Sequence, residues 1–215
     1  MKIPRKNFAL AIAVTGIAAM IGVGGYQLAA AAGTFKAPLI AAVILLYIGW
    51  ILSEFGVTVG ESGKETGDDK GTCEAYAIGR FITMLAAFGF DSLWSSPGPW
   101  FFLGFGLFIG GIIFRTYAIR TLGRLYSHRV RTPSENTIIA DGPYRFLRHP
   151  AYAGMLLAHV GILVLFFNWF LLTAFVGIFI PVLVRRIRVE EHHLLAIPEY
   201  QAFAAGRARV APGIW

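Results

Sequence analysis

Apolar residues in this chain gather into six long runs, with neither the alternation of a half-buried strand nor the three-to-four spacing of a surface helix. The runs cover residues 8–32, 37–59, 75–94, 98–119, 150–167 and 169–187. A helix needs about 20 apolar residues to cross the hydrocarbon core of a bilayer. Each run is therefore read as a membrane helix. The pattern predicts an all-α, polytopic integral membrane protein with about six transmembrane helices. The last two runs are the shortest, and at 1.5 Å per residue they reach only about 27 Å. Asn168 alone separates them, so they form a tight helical hairpin. Pro38, Pro99 and Pro150 stand near helix starts, where a missing N–H costs nothing. Pro181 lies inside the sixth run and predicts a kink there.

Composition agrees with that reading. Of the 215 residues, 56% are hydrophobic and 14% charged, against roughly a quarter charged in a soluble domain. A formal net charge of +7 could point to nucleic acid, but the basic residues flank the apolar runs, which is the pattern that orients membrane helices. All of the 19 Lys and Arg except Lys36 fall on one side of the predicted topology. The positive-inside bias then puts both termini in the cytoplasm. The N-terminus begins like a signal peptide, but its apolar run is too long for a signal core of about 7–15 residues, and an uncleaved first helix is expected. Cys73 is the single cysteine, which excludes an internal disulfide and a cysteine-rich metal site.

The loops on the far side, about GTFKAP, SSPG and Asn168, are too small to build a site. The cytoplasmic side carries three polar pieces: the acidic, glycine-rich ESGKETGDDKGTCE, the arginine-rich stretch 120–149, and a tail from 188 onward, expected to stay helical to about 207. Residues 1–119 are thus read as N-terminal transmembrane helices, and 120–215 as the region able to carry chemistry, within one membrane domain. In RHPAYAG, Pro150 at a first helical position makes His149 the expected N-cap of helix five. The helix start attracts anions, and Arg145 and Arg148 add to that. Residue types alone leave this mouth open between an interfacial anchor and an anion site. Arg186 and Glu190 are spaced i, i+4 on one face of the sixth helix. The hairpin brings them to the same membrane depth as His149. Glu54 and His159 lie within helices and read as packing or hydrogen-bonding groups with no partner in view. His192 and His193 have no third ligand beside them, so no metal site is expected.

The segments TLGRLYSHRV, ADGPYRFLRHPAYAGMLL and RRIRVEEHHLLAIPEYQAFAAGRARVAP resemble the isoprenylcysteine carboxyl methyltransferase family in order and spacing, over about residues 120–212. The wider group of membrane phospholipid and isoprenylcysteine methyltransferases shares the last parts. The resemblance implies transfer of a methyl group from S-adenosylmethionine to the carboxylate of a prenylated, lipid-borne cysteine that enters from the bilayer, with a cytoplasmic C-terminal helix closing the cofactor pocket. It implies that Arg131, Thr137, Ile138, Tyr144, His149, Pro150, Ala151, Tyr152 and Glu190 line the cofactor site. It also implies that Arg186 serves the substrate and the reaction, and that His128 lies on the approach to the site. The family often has Phe-Gly before the Glu-Tyr that follows its glutamate pair, where this chain has AIPEY, and its final tail arginine matches Arg209 loosely. Membrane lipids are expected partners; nucleic acid and metal are not.

Three other functions fit parts of the pattern. A phospholipid (ethanolamine-type) N-methyltransferase would need a base, such as His128 or a glutamate, to deprotonate its amine. A membrane reductase using NADPH would need places for additional phosphates, and no glycine-rich phosphate loop is present. A small transporter would want polar residues deep in several helices, and these are sparse.

Overall fold

The computed structural model describes residues 5–60, 71–126, 138–213 and 215. Among them every regular element is helical, and the extended pairing is a single parallel bridge between Leu147 and Ala208. The apolar runs become α1 (Arg5–Ala30), α2 (Lys36–Gly60), α3 (Thr72–Gly89), α4 (Pro99–Leu122) and α5 (Pro150–Leu165), followed by α6 (Trp169–Ala174) and α7 (Ile180–Leu194). A π-helical segment, Phe175–Phe179, joins α6 to α7, so Trp169–Leu194 is one continuous helical rod. Among the described residues, four stretches are long and apolar enough to cross a membrane: Leu10–Ala30, Lys36–Glu54, Pro99–Leu122 and Trp169–Leu194. α5, with 16 residues, is shorter than its apolar run, because Phe166–Asn168 turns the chain. α3 begins and ends earlier than its run, and Phe90–Gly98 is irregular.

Two features of the rod follow from sequence. Asn168 caps α6 by accepting a hydrogen bond from Leu171 N (2.8 Å), as a short amide side chain at an N-cap does. Pro181 does not break the rod. It sits two residues past the end of the π segment, whose wider turn accommodates the missing donor and the ring.

The tightest seam lies between α4 and α5. Gly104 and Gly111 on α4 face Gly154 and Gly161 on α5. A Cβ at Gly111 would stand 2.6 Å from Gly154 O, and one at Gly161 would stand 2.6 Å from Gly104 O. Small residues at matched spacing let two membrane helices approach backbone to backbone. Outside, large apolar side chains face outward, including Phe102 (77% exposed), Tyr26 (76%) and Leu45 (70%). In water this would be a liability; in a bilayer it is the lipid-facing surface.

The tail departs from the single helix expected. α7 ends at Leu194 and α8 covers Pro198–Ala204. Proline disfavours helical backbone in the residue before it, and Ile197 is extended (φ −98°, ψ 118°). α8 then packs Tyr200, Phe203 and Ala204 into a small second core with Ala118, Tyr144, Ala151 and Ile197. The last residues fold back over the start of α5: Arg148 N donates to Ala208 O, and His149 N to Arg209 O, both at 2.9 Å.

Candidate active site

The site is built where the start of α5, the end of α7 and the start of α3 meet. His149 occupies the N-cap of α5, as expected, yet its side chain makes no capping hydrogen bond. The turn is instead closed by its carbonyl, which accepts from Tyr152 N and Ala153 N at 3.1 Å. The preceding Gly-Pro-Tyr turn needs its glycine. Gly142 has φ +55°, and a Cβ there would stand 2.9 Å from Tyr117 Oη.

Tyr152 is the hinge of the arrangement. Arg186 Nε donates to its hydroxyl at 2.8 Å, and the hydroxyl donates to Glu190 Oε2 at 2.7 Å. The ring lies 5.8 Å from that of His149. Arg186 is 2% exposed, so it is no surface anchor. Its Nη1 also donates to Thr72 Oγ1 at 3.1 Å, and its guanidinium lies 5.9 Å from the rings of Tyr76 and Tyr152. One phenolic hydroxyl thus links a buried guanidinium to a carboxylate one helical turn away.

Beside this lies a hub around Glu191. Its carboxylate receives Arg148 Nη1 (3.1 Å) and Arg209 Nε (2.5 Å), with His149 Nε2 at 3.4 Å. Tyr200 Oη is buried and lacks a hydrogen-bond partner among the described residues. Burial raises the pKa of the Tyr144 and Tyr200 phenols, so both stay protonated hydrogen-bond donors at neutral pH.

A third cluster lies deeper. Arg115 of α4 is 1% exposed and holds Glu54 of α2 bidentately, Nε to Oε1 at 2.6 Å and Nη2 to Oε2 at 3.0 Å. Trp50 Nε1 donates to the same carboxylate (2.7 Å), and Arg115 Nη1 donates to Ala151 O (3.0 Å). The pair therefore ties α2 and α4 to the mouth of α5. His159 is held at Met155 O (2.9 Å) and stacks on Phe179.

Of the residues expected at the site, His149, Tyr152, Arg186 and Glu190 converge. Pro150 starts α5, and Tyr144, Ala151 and Ile138 belong to the second core just beside it. His128, Arg131 and Thr137 lie outside the described residues. Sequence reasoning missed the Glu191 hub, the Glu54–Arg115 pair and the part played by α3. Arg115 and Arg80 had counted among charges that merely flank apolar runs; both are turned into the bundle instead. An arginine within reach of an apolar run was the available signal. Among the described residues, no group of three or more His, Cys, Asp and Glu could hold a metal ion.

Residues 103–196 match the model of the isoprenylcysteine carboxyl methyltransferase (ICMT) family. Over this part the chain is similar to that family. The protein-S-isoprenylcysteine O-methyltransferase B of Arabidopsis thaliana is 35% identical over 99 residues, covering 44% of this chain and 50% of the relative. The Saccharomyces cerevisiae protein-S-isoprenylcysteine O-methyltransferase is 36% identical over 95 residues, 43% of this chain and 40% of its own length. A probable protein-S-isoprenylcysteine O-methyltransferase of Oryza sativa subsp. indica is 32% identical over 111 residues, 49% and 58% of the two chains. The chain thus spans about half the length of the curated relatives it matches. No solved structure matches it. The ICMT match takes in Arg115, His149, Tyr152, Arg186, Glu190 and Glu191. It leaves out α1–α3, and with them Glu54, Thr72, Tyr76 and Arg80, as well as Tyr200 and Arg209 in the tail.

Proposed function

We propose that this protein is a membrane methyltransferase that transfers a methyl group from S-adenosylmethionine to the carboxylate of a prenylcysteine-like lipid at the cytoplasmic face. The observation that carries the reading is the Arg186–Tyr152–Glu190 chain. It sets a group suited to an anion and a group suited to a cation one turn apart, inside a bundle whose outer surface is apolar.

The residues present fit the cofactor. Its carboxylate suits the positive start of α5. The Tyr200 hydroxyl is a buried donor in need of a partner. Glu190 suits the cationic groups. Bound there, S-adenosylmethionine supplies an electrophilic methyl group on a sulfonium. The acceptor carboxylate is already ionised at neutral pH, so no residue has to remove a proton from it. Arg186 holds the carboxylate and aims one oxygen through its planar fork, and Tyr152 and Thr72 fix the guanidinium. The surrounding apolar bundle excludes water and partly desolvates the nucleophile. A buried arginine favours an anionic acceptor over an ammonium, which argues against the phospholipid amine.

In this reading α3 and α5 cross the membrane with the four longer stretches, both termini are cytoplasmic, and the lipid tail enters between helices. Residues 120–215 are the catalytic region, and 1–119 are scaffold that also braces Arg186.

The test uses purified protein. S-adenosylhomocysteine at 100 times its dissociation constant should stabilise it by about 2.7 kcal/mol. A farnesylcysteine acid should be methylated on its carboxylate. Glu190→Gln should weaken S-adenosylhomocysteine binding, whereas Arg186→Lys should lower turnover and leave that binding nearly intact. Stabilisation by NADPH but not by S-adenosylhomocysteine would sink the reading.

A further inference from the structure

Thr72, Tyr76 and Arg80 recur every fourth residue on α3, so they form one face, and about 12 Å of helix separates the first from the last. All three are turned inward. Thr72 touches Arg186 directly. Tyr76 is 6% exposed, and its ring lies 5.9 Å from the guanidinium of Arg186 and 5.9 Å from that of Arg80. It also packs edge-on against Tyr152 at 5.8 Å. This face is therefore continuous with the candidate active site, although α3 lies outside the ICMT match.

The face carries donors without acceptors. The Tyr76 hydroxyl and Arg80 Nη2 are buried and have no hydrogen-bond partner among the described residues. The Arg80 side chain is 12% exposed. Its Nε reaches Tyr47 Oη at 3.3 Å, and its Nη1 stands 3.8 Å from Glu54 Oε2. That carboxylate is already taken up by Arg115 and Trp50. A buried guanidinium with an unmatched donor, next to a buried hydroxyl in the same state, is costly unless something else supplies the acceptor atoms. Trp50 and Tyr47 hold Arg80 in place by their rings, 5.0 and 5.6 Å from its guanidinium, so it cannot simply be read as reaching for solvent.

We propose that Tyr76 and Arg80 form, with Arg186, an anion-binding locus for the carboxylate of the lipid acceptor. This rests on the methyltransferase reading above and deepens it. Arg186 alone would grip a carboxylate from one side. Tyr76 and Arg80 present further donors deeper along α3, drawing the head group below the membrane surface while the tail stays among the helices. A singly charged anion is the chemistry that fits, and a lipid phosphate is the competing source of one.

The experiment measures binding without turnover, by the fluorescence of Trp50 and its neighbours in the full chain in nanodiscs. The probes are a farnesylcysteine acid and its methyl ester. The parent should bind the acid at least roughly tenfold more tightly than the ester, since hydrogen bonds to a charged group are at stake. Tyr76→Phe and Arg80→Gln should each erase most of that preference, and should raise KM for the acid while leaving the S-adenosylhomocysteine dissociation constant within about twofold. Tyr76→Phe removes an unpartnered hydroxyl, so it should fold as the parent does. Equal affinity of the parent for acid and ester overturns the proposal, as does a preference that survives both substitutions. Phosphatidylglycerol, but not phosphatidylcholine, displacing both probes equally would assign the locus to a phospholipid and overturn it too. A parent that prefers the acid through Tyr76 and Arg80 but never methylates it keeps the locus and refutes the methyltransferase reading.

Discussion

Two glycines on one helix should respond to the same substitution with opposite signs. At Gly111, an alanine Cβ would collide with Ala158 N and would meet Gly154 O at 2.6 Å and Ala158 Cα at 2.8 Å. All three are backbone atoms, so no side chain can rotate away. Ordinary contact begins near 3.5 Å, and α4 and α5 would have to part by about 1 Å. A gap of that size forfeits roughly a quarter to a half of each dispersion contact along the seam, and overpacking of this kind costs about 1–3 kcal/mol. Alanine returns up to about 1 kcal/mol as the better helix former, leaving a net loss near 1–2 kcal/mol. Gly106 and Gly110 lie on the same helix with nothing within 4 Å of an added methyl group. There the helix-propensity gain stands alone, about 0.5–1 kcal/mol. With about 2–4 °C per kcal/mol for a chain of this size, Gly111→Ala should lower the melting temperature by several degrees and Gly106→Ala raise it slightly. The assay is thermal unfolding in one detergent for both variants and the parent. Because Arg115 Nη1 reaches Ala151 O across this seam (3.0 Å), Gly111→Ala should also weaken S-adenosylhomocysteine binding. Shifts of the same sign at Gly111 and Gly106 would refute the close-approach argument.

Three other substitutions probe the charged clusters. Tyr152→Phe removes the hydroxyl shared by Arg186 and Glu190, and should weaken S-adenosylhomocysteine binding and acceptor KM together, by about 1.5–3 kcal/mol if the lost bonds are charge-assisted; a change in only one of the two would separate the sites. Glu191→Gln loosens the grip on Arg148 and Arg209, so trypsin should cut the tail after Arg207 or Arg209 faster by roughly tenfold or more, and an unchanged rate would leave the hub without a role in tail closure. Glu54→Leu or Arg115→Leu alone strands a buried charge at a cost of about 3–5 kcal/mol; the double substitution should be milder than either, and simple additivity in a double-mutant cycle would contradict the pairing.

What the sequence makes legible here, and what it hides, divides along a physical line. The helices were legible because apolar runs of membrane length leave the backbone few alternatives, and the mouth of α5 because Pro150 fixes a helix start from local rules alone. Facing is different. Glu190 and Glu191 are neighbours, yet a helix turns about 100° between them, and one meets Tyr152 while the other meets Arg148 and Arg209. Which glutamate goes where depends on the rotation of α7 about its axis, and that is set by packing against α3 and α5. Arg115 poses the same difficulty. Near the end of an apolar run it has the sequence context of an orienting charge, and only its approach to Glu54, 61 residues away, reveals a buried pair. α3 was the hardest to read, because the resemblance to methyltransferases stops short of it and its polar residues look like loop-end charges. Packing against α7 brings Thr72 to Arg186, and that one contact ties α3 to the proposed site.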